Sequence, residues 1–521
     1  MGRVAGQSRT PCGGRPLHRP IPAESPIACF SKNDGSRKAK TCSARGRMHG
    51  RSEQVVDISA TADAAKITAT PLQLLIGVAA FSAIAGSALS YPAFGAGFLL
   101  LVQTAFLIMI PWRLVTVMTS QAPSAEPQIL LEDLPRYSIL VALHDEAGIL
   151  PHLIERLAAI DYPADRLDGY LVMEAHDRAT IDAALGLPRP EWLQVLVAPP
   201  GAPTTKPRAL NYALSFAQGE FLTIYDAEDD PDPLQLQESV ARFAAADERL
   251  ACLQAPLRIR RRGKNRNASP FLDRQFAAEY AALFEITLPA MARLGLPFPL
   301  GGTSNHFRMS ALRAAGGWDS WNVTEDADLG FRLWRQGWRL GVLSRPTYET
   351  PPGQLLHWLP QRTRWLKGYM QTLFVHTRSS HGMGWRGWTA LSLTLGAALT
   401  SAALHALSVA SFGVFFLLAL LARRMPEAPW LGLGVLLCGA AAAILTTVIG
   451  ARRAGTPFGV WDMARIPLYW SLLSLAFVHA AVRLIVEPHR WDKTAHQPDI
   501  PHEDLSPTLP PIALESGRAA A

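Results

Sequence analysis

Apolar and polar positions divide the chain into zones of different texture. From Pro71 to Ser90 the residues are apolar and uncharged, and after Tyr91-Pro92 a second apolar run continues to Ile110. Each run is near the ~20 residues that carry a helix across a bilayer, and the pair predicts two transmembrane helices. The same texture returns late in the chain. Leu391–Ala422 is apolar for one long span or two short ones meeting near His405, and Trp430–Gly450 and Ile466–Ile485 follow. Three or four further spans are expected there.

Between these zones the pattern is that of a folded domain. Short apolar, β-branched runs at Tyr137–Leu143, Tyr170–Met173, Trp192–Val197, Phe221–Tyr225 and Leu253–Leu257 read as strands. Helical periods fall at Gly148–Ile160, at Lys206–Leu214, and from Thr324 to Gln336. Alternation of this kind predicts an α/β fold, a mostly parallel sheet with helices on both faces. Three strands end in polar or acidic clusters: His144-Asp145-Glu146, Glu174-Ala175-His176-Asp177 and Asp226-Ala227-Glu228-Asp229-Asp230. In open α/β sheets ligands bind beyond the carboxyl ends of the strands. No G-x-G-x-x-G follows a strand, which argues against a dinucleotide fold. Leu355–Thr377 carries Trp358 and Trp365 on an apolar side and arginines on the other, the pattern of a helix at the membrane–water interface. Gln361, Arg364 and Trp365 share one face at helical spacing.

The resulting layout is a basic disordered tail over 1–68, two transmembrane helices over 69–118, a polar linker over 119–135, an α/β domain over 136–353, an amphipathic interfacial region over 354–387, three or four transmembrane helices over 388–487, and a carboxy-terminal tail over 488–521. Composition adjusts this picture only slightly. The chain is 49% hydrophobic, and its net charge is +7. Ten Lys and Arg against two acidic residues lie in Met1–Gly50, so the basicity belongs to the tail and nucleic acid is not an expected partner. Translation from Met48 would remove most of that tail. Three of the five cysteines, Cys12, Cys29 and Cys42, lie in it, while Cys252 and Cys438 are isolated, so neither a zinc site nor a disulfide framework is expected. The basic tail and Arg113 place both flanks of the first helix pair on the inner side, with the domain after them cytoplasmic.

The Phe221 run carries the candidate chemistry. A strand that ends in clustered carboxylates holds charges that repel unless a cation lies between them. Mg2+ is generally bound by one or two carboxylates plus substrate phosphates. Asp226 and Glu228 therefore read as a metal–diphosphate clamp; the plainer alternative is a strand followed by a polar turn. Gly301 and Gly302 lead a loop that allows close backbone approach to a ligand. Thr324 and Glu325 are equally suited to capping the helix they begin.

Taken in order, these segments resemble the membrane-embedded family 2 glycosyltransferases, the group of bacterial cellulose, curdlan and hyaluronan synthases. The features that carry the resemblance are His144-Asp145-Glu146, the acidic end of the second strand, Lys206 with Asn211, Asp226-Ala227-Glu228, Gly301-Gly302, Thr324-Glu325-Asp326, Gln361-x-x-Arg364-Trp365 and Trp491-Asp492-Lys493-Thr494. Glu228 stands where the family has a second aspartate. The resemblance implies a GT-A-like catalytic domain inserted between transmembrane helices, in a bacterial inner membrane. It implies Asp326 as general base and Mg2+ or Mn2+ on Asp226 and Glu228. Asp145, Glu146, Glu174, Asp177, Lys206 and Arg364 would bind the nucleotide-sugar donor, with either Glu174 or Asp177 on the base. Gly301, Gly302, Thr324, Glu325, Gln361 and Trp365 would meet the acceptor. The expected reaction is inverting transfer from a nucleotide-diphosphate sugar, a UDP-sugar first, to a growing β-linked glycan threaded out between the helices. The alternative is transfer of one sugar to a lipid or glycolipid. Membrane lipids, and export or regulatory subunits, complete the expected partners.

Overall fold

The computed structural model describes residues 28–30, 40–41, 58, 64–90, 92–121, 134–260, 269–421 and 430–491. Met48, most of the 119–135 linker, Asp492-Lys493-Thr494 and nearly all of both tails lie outside these residues. The strands are β1 (Ala28–Phe30), β2 (Lys40–Thr41), β3 (Tyr137–Leu143), β4 (Leu167–Glu174), β5 (Leu193–Ala198), β6 (Phe221–Tyr225), β7 (Asp230–Pro231), β8 (Leu250–Gln254), β9 (Leu257–Ile259), β10 (Asn305–Arg308), β11 (Arg339–Val342) and β12 (Thr347–Glu349).

A nine-stranded sheet runs in the order β11-β8-β10-β6-β3-β4-β5-β1-β2. Its centre is parallel: β3 pairs with both β4 and β6, and β4 pairs with β5. Every residue of β4 and β6 is buried, as apolar runs covered on both faces require. Two strands run against the others, β1 beside β5 near one end of the sheet and β10 within it. β10 lies antiparallel between β6 and β8, with Asn305 opposite Ile224 and Gln254. This reversal has a functional effect. The start of β10 shares the sheet edge with the ends of β3, β4 and β6, so the glycine loop before β10 arrives beside Asp226. The run expected as one strand at Leu253–Leu257 is divided: β8 stays in the large sheet, and β9 joins a small sheet of order β7-β12-β9.

Helices flank this frame. Lys206–Leu214, Glu325–Arg335 and Leu355–Thr377 fall where the apolar period places them. A helix the sequence pattern did not reveal runs from Pro270 to Arg293 with a π-helical turn at Leu283–Thr287. Pro71–Ser90 and Pro92–Thr119 are helices, the second passing through Pro111. After the catalytic domain, three stretches are long and apolar enough to cross a membrane: Gly384–Ala406, Trp430–Arg453 and Ile466–Val486. The first belongs to a continuous helical run that passes a π turn at Ser392–Gly396 and ends at Leu421, with no break at His405. Among the described residues, three candidate spans rather than four follow the α/β domain.

Two regions differ from the sequence expectation. The 1–68 tail is not wholly detached: Ala64 and Ala65 are buried, the Ala65 N–H donates to Asp319 at 2.5 Å, and Arg378 donates to the Ala64 and Thr68 carbonyls. Its β1 and β2 also extend the sheet edge. Leu355–Thr377 is not a surface helix with a wet basic side. Arg362 and Lys367 are buried. Arg362 is held by Glu279 and the Tyr469 hydroxyl, and Lys367 by the carbonyls of Glu487 and Arg490. Contacts from Trp358 to Tyr469, Thr363 to His479 and Lys367 to Glu487 set this helix alongside Ile466–Val486, running in the same direction. Buried cations need such partners. Periodicity alone reports that they lie off the apolar face, not that another helix covers them.

Candidate active site

The site begins where β6 ends. The Asp226 N–H donates to Asp229 Oδ2 at 2.7 Å, and the Asp229 N–H returns to the Asp226 carbonyl at 3.2 Å. This closed turn directs the Asp226 and Glu228 side chains into the crevice and buries Asp229 beneath them. Asp229 also takes the Thr303 hydroxyl. Burial, then the charges of Asp226 and Glu228, push its carboxyl well above the usual range. Glu349, at the end of β12, joins the group. Its carboxyl is pushed up by burial and by Asp229, Glu228 and Asp226.

Lys206 answers this negative charge. It opens the helix Lys206–Leu214 and reaches both Asp226 and the Gly302 carbonyl, the latter at 2.7 Å. Burial lowers its pKa, but Asp226 and Glu325 outweigh burial and hold it above the usual value. The same helix sets the opposite wall. Asn211 makes two hydrogen bonds with the Trp318 backbone, at 2.6 and 2.9 Å, and Thr205 donates to the Ser320 carbonyl. Those contacts fix the loop that enters Thr324-Glu325-Asp326.

Thr324 occupies the N-cap position, but its side chain makes no capping bond; its hydroxyl turns to Asn322. Asp326 points the other way, its Oδ2 only 3.6 Å from where a Cβ on Gly302 would stand. Burial raises Asp326 to about 6, against the pull of its neighbouring backbone N–H groups, Lys206 and Arg364. Glu325 is raised to about 7 by burial and by Asp326. Two carboxylates this close titrate as a unit.

Gln361, Arg364 and Trp365 form the third wall, and all three line the cavity, as their spacing predicted. Arg364 stacks over the Trp491 ring at 4.6 Å. Trp365 packs beside the rings of Phe276 and Tyr280, with the buried Arg362 guanidinium 4.4 Å from its own ring and 4.8 Å from that of Phe276. The cavity is one continuous space of about 1390 Å³ that includes Glu146, Glu174, Lys206, Asp226, Glu228 and Asp326. Gly301, Gly302, Thr324 and Glu325 line it too. It continues between the apolar helices, past Leu395, His405, Val435, Ala443 and Leu473.

Two expected site residues lie elsewhere. Asp177 caps the helix Arg178–Gly186 through the Thr180 N–H and accepts the Asp145 N–H at 2.6 Å. Neither Asp177 nor Asp145 is among the cavity-lining residues. Asp145 takes a left-handed backbone, φ 55°, which aspartate tolerates. The pair shapes the β3 turn rather than forming a wall. Glu174 does line the cavity and is paired with Arg208. Glu349, Glu279 and Tyr369 line the cavity without having been singled out from sequence. Glu349 lies on a three-residue strand with no acidic motif around it, so no local signal marks it.

Among the described residues no group of three or more His, Cys, Asp or Glu side chains forms a ready metal cage. The carboxylates that do converge still suit a divalent cation. Asp229 and Glu349 are destabilised by the charges of Asp226 and Glu228, and Lys206 neutralises only part of that charge. Two carboxylates completed by phosphate oxygens would relieve it.

Residues 221–448 match the family described as glycosyl transferase family group 2. Over that stretch the chain is similar to the family 2 glycosyltransferases. A β-monoglucosyldiacylglycerol synthase of Synechocystis is 28% identical to the chain over 297 residues, 53% of this chain and 59% of that protein. The cellulose synthase 1 catalytic subunit of Komagataeibacter xylinus is 26% identical over 47% of this chain and 32% of its own length. The chain thus matches between about a third and somewhat over half of these relatives' lengths. A mannosyltransferase from Pyrobaculum calidifontis aligns in structure with a TM-score of 0.46 at 16% identity, covering 74% of this chain and 99% of its own. The family match begins at the first residue of β6 and extends into the apolar helix Trp430–Arg453, so the matched stretch includes Asp226, Glu228 and Asp326 and part of the apolar lining of the cavity.

Gly368 lets the walls of the cavity come together, because a Cβ there would overlap the Thr324 side chain. Gly368→Ala is expected to destabilise the protein by about 1–3 kcal/mol, as overpacking generally does, and to reduce activity. Thermal unfolding and turnover of the purified variant check this, with Thr324→Ser partly restoring both.

Proposed function

We propose that this protein transfers one sugar, with inversion, from a nucleotide-diphosphate sugar to a hydroxyl of a membrane lipid. The observation that carries the reading is the shared cavity. The carboxylates at one end and the apolar helices at the other bound a single space, so a hydroxyl at Asp326 can belong to a molecule whose tail lies among Leu395, Val435 and Leu473. A growing polysaccharide carries hydroxyls along its whole length, and each needs a partner once it leaves water. The apolar lining suits acyl chains better. The relative that is a glucosyldiacylglycerol synthase favours the same reading. The cellulose synthase relative keeps polymer synthesis as the second reading.

The roles follow from position. Asp226 and Glu228 would hold a divalent cation, which when bound supplies Lewis-acid stabilisation of the leaving diphosphate. Lys206 and Arg364 add fixed positive charge on the diphosphate, Arg364 with the planar fork suited to phosphate oxygens. Glu146 and Glu174 border the donor end of the crevice. Asp326 accepts the proton of the attacking hydroxyl. A base is most effective when its pKa is near the working pH, and burial has moved Asp326 toward it. A single displacement inverts the anomeric carbon. Trp365 and Gln361 stand where the acceptor's polar end would pass from lipid to crevice.

Full-length protein in detergent, supplied with a panel of UDP- and GDP-sugars and membrane lipid, is expected to yield a lipid bearing one sugar; a product ladder without glycolipid would favour the polymer reading. Asp326→Asn should lower kcat by ~100- to 10,000-fold while the protein remains folded. Protonated Asp326 cannot take a proton, so wild-type turnover is expected to fall as pH drops through about 6 and to be retained above it. Chelation is expected to abolish transfer and added Mg2+ or Mn2+ to restore it. Asp226→Asn should weaken Mn2+ binding measured by calorimetry in the presence of nucleoside diphosphate.

A further inference from the structure

Asp319 is buried and is not among the cavity-lining residues, yet two backbone N–H groups converge on its carboxylate. One belongs to its own loop: Trp321 donates to Oδ1 at 3.0 Å. The other comes from Ala65, 254 residues earlier, which donates to Oδ2 at 2.5 Å. Backbone N–H bonds to a carboxylate are stronger than those between neutral groups. Ala64 and Ala65 are buried as well. Arg378 ties the same segment down through the carbonyls of Ala64 and Thr68, at 3.0 and 3.2 Å. The Lys66 ammonium stands 5.3 Å from the centre of the Trp321 ring. Residues 64–68 thus form a strap laid against the loop Gly316–Val323. The strap runs on into the apolar helix Pro71–Ser90, whose Gln73 donates to the Phe374 carbonyl at 2.8 Å.

The loop leads directly to Asp326. The Asn322 N–H returns to the Asp319 carbonyl at 3.2 Å, and the Asn322 side-chain oxygen accepts the Thr324 N–H at 3.0 Å. The Thr324 carbonyl takes the Asp328 N–H, in the first turn of the helix that carries Asp326. From Ala65 to that helix every link is a hydrogen bond or a covalent one. Arg332 and Asn211 hold the carbonyls of Gly317 and Trp318 from within the domain. At Asp319 a segment from outside it takes over. We propose that Asp319 is a positioning residue for Asp326, and that residues 64–68 set its place. Asp326 is then correctly aimed only while the strap that enters the first apolar helix is docked. This rests on the assignment of Asp326 as base and extends it to a contact outside the cavity.

The test uses full-length protein in nanodiscs containing diacylglycerol, with the panel of UDP- and GDP-sugars as donors. Asp319→Asn offers one acceptor oxygen where two are used, and Arg378→Ala frees the strap without altering the loop. Each is expected to lower kcat by roughly 10- to 100-fold, as small misplacements of reacting groups do. Donor KM, and Mn2+-dependent UDP binding measured by calorimetry, should stay unchanged. Amide hydrogen exchange should rise in residues 321–328 and not in the strands of the sheet. The double variant should lose little more than Asp319→Asn alone, because both changes break one chain of contacts. Arg378→Lys, which keeps a cationic donor for the two carbonyls, should restore turnover. A merely structural strap would lower thermal stability and leave kcat of the folded variants unchanged. That result, additive losses, or a parallel loss of UDP binding overturns the proposal while leaving the base assignment intact. If Asp319→Asn does not fold, Arg378→Ala and Arg378→Lys decide by the same measures. Undiminished transfer by Asp326→Asn, or a wild type that transfers from no donor of the panel, removes both.

Discussion

The arrangement depends on holding six carboxylates in one crevice with few cations. Asp226, Glu228, Asp229, Glu325, Asp326 and Glu349 come from three separate parts of the chain, and Asp229 and Glu325 are almost fully buried. Removing an unpaired carboxylate from water is costly enough that the group protonates instead. Lys206 is the ion that keeps the set together, since it touches Asp226 and the Gly302 carbonyl and its charge is also felt by Glu325 and Asp326. Its position follows from the fold. It begins the helix between β5 and β6, so its backbone lies on the side of the sheet where the parallel strands end. The remaining excess of negative charge makes the crevice receptive to a cation and unsuited to a bare diphosphate.

The second constraint is geometric. A parallel sheet alone would place the ends of β3, β4 and β6 on one edge and leave the glycine loop to chance. The reversed β10 brings Gly301 and Gly302 there. Gly302 gives its carbonyl to Lys206 and faces Asp326, whose Oδ2 is 3.6 Å from where a Cβ would stand. On the membrane side, the Pro270–Arg293 helix closes the cavity. Gly450 of the span Trp430–Arg453 approaches it so closely that a Cβ would stand 2.6 Å from the Ala281 carbonyl. Donor crevice and apolar compartment are therefore parts of one packed body.

Much of this was legible in the sequence because the relevant signals are local. Tyr137–Leu143 and Phe221–Tyr225 are apolar runs that stop abruptly, and their boundaries agree with β3 and β6. The face shared by Gln361, Arg364 and Trp365 follows from helical geometry. What was not legible depends on distant partners. Asp177 and Glu174 look alike as acidic strand ends, yet one is consumed as a helix cap and the other faces the cavity, a difference set by the Asp145 backbone and by Arg208. Glu349 has no motif around it. His405 reads as a possible break in an apolar run; its partner, the Pro467 carbonyl, comes sixty-two residues later.

The pairing of Leu355–Thr377 with the last helix has a consequence for biosynthesis. The carbonyls that hold Lys367, and the indole that stacks on Arg364, belong to residues 487–491. A ribosome that has produced the sheet and its acidic crevice has therefore not yet produced a finished enzyme. The final membrane segment must emerge and settle beside its companion first, so that the nascent catalytic domain stays incomplete until membrane insertion is nearly done.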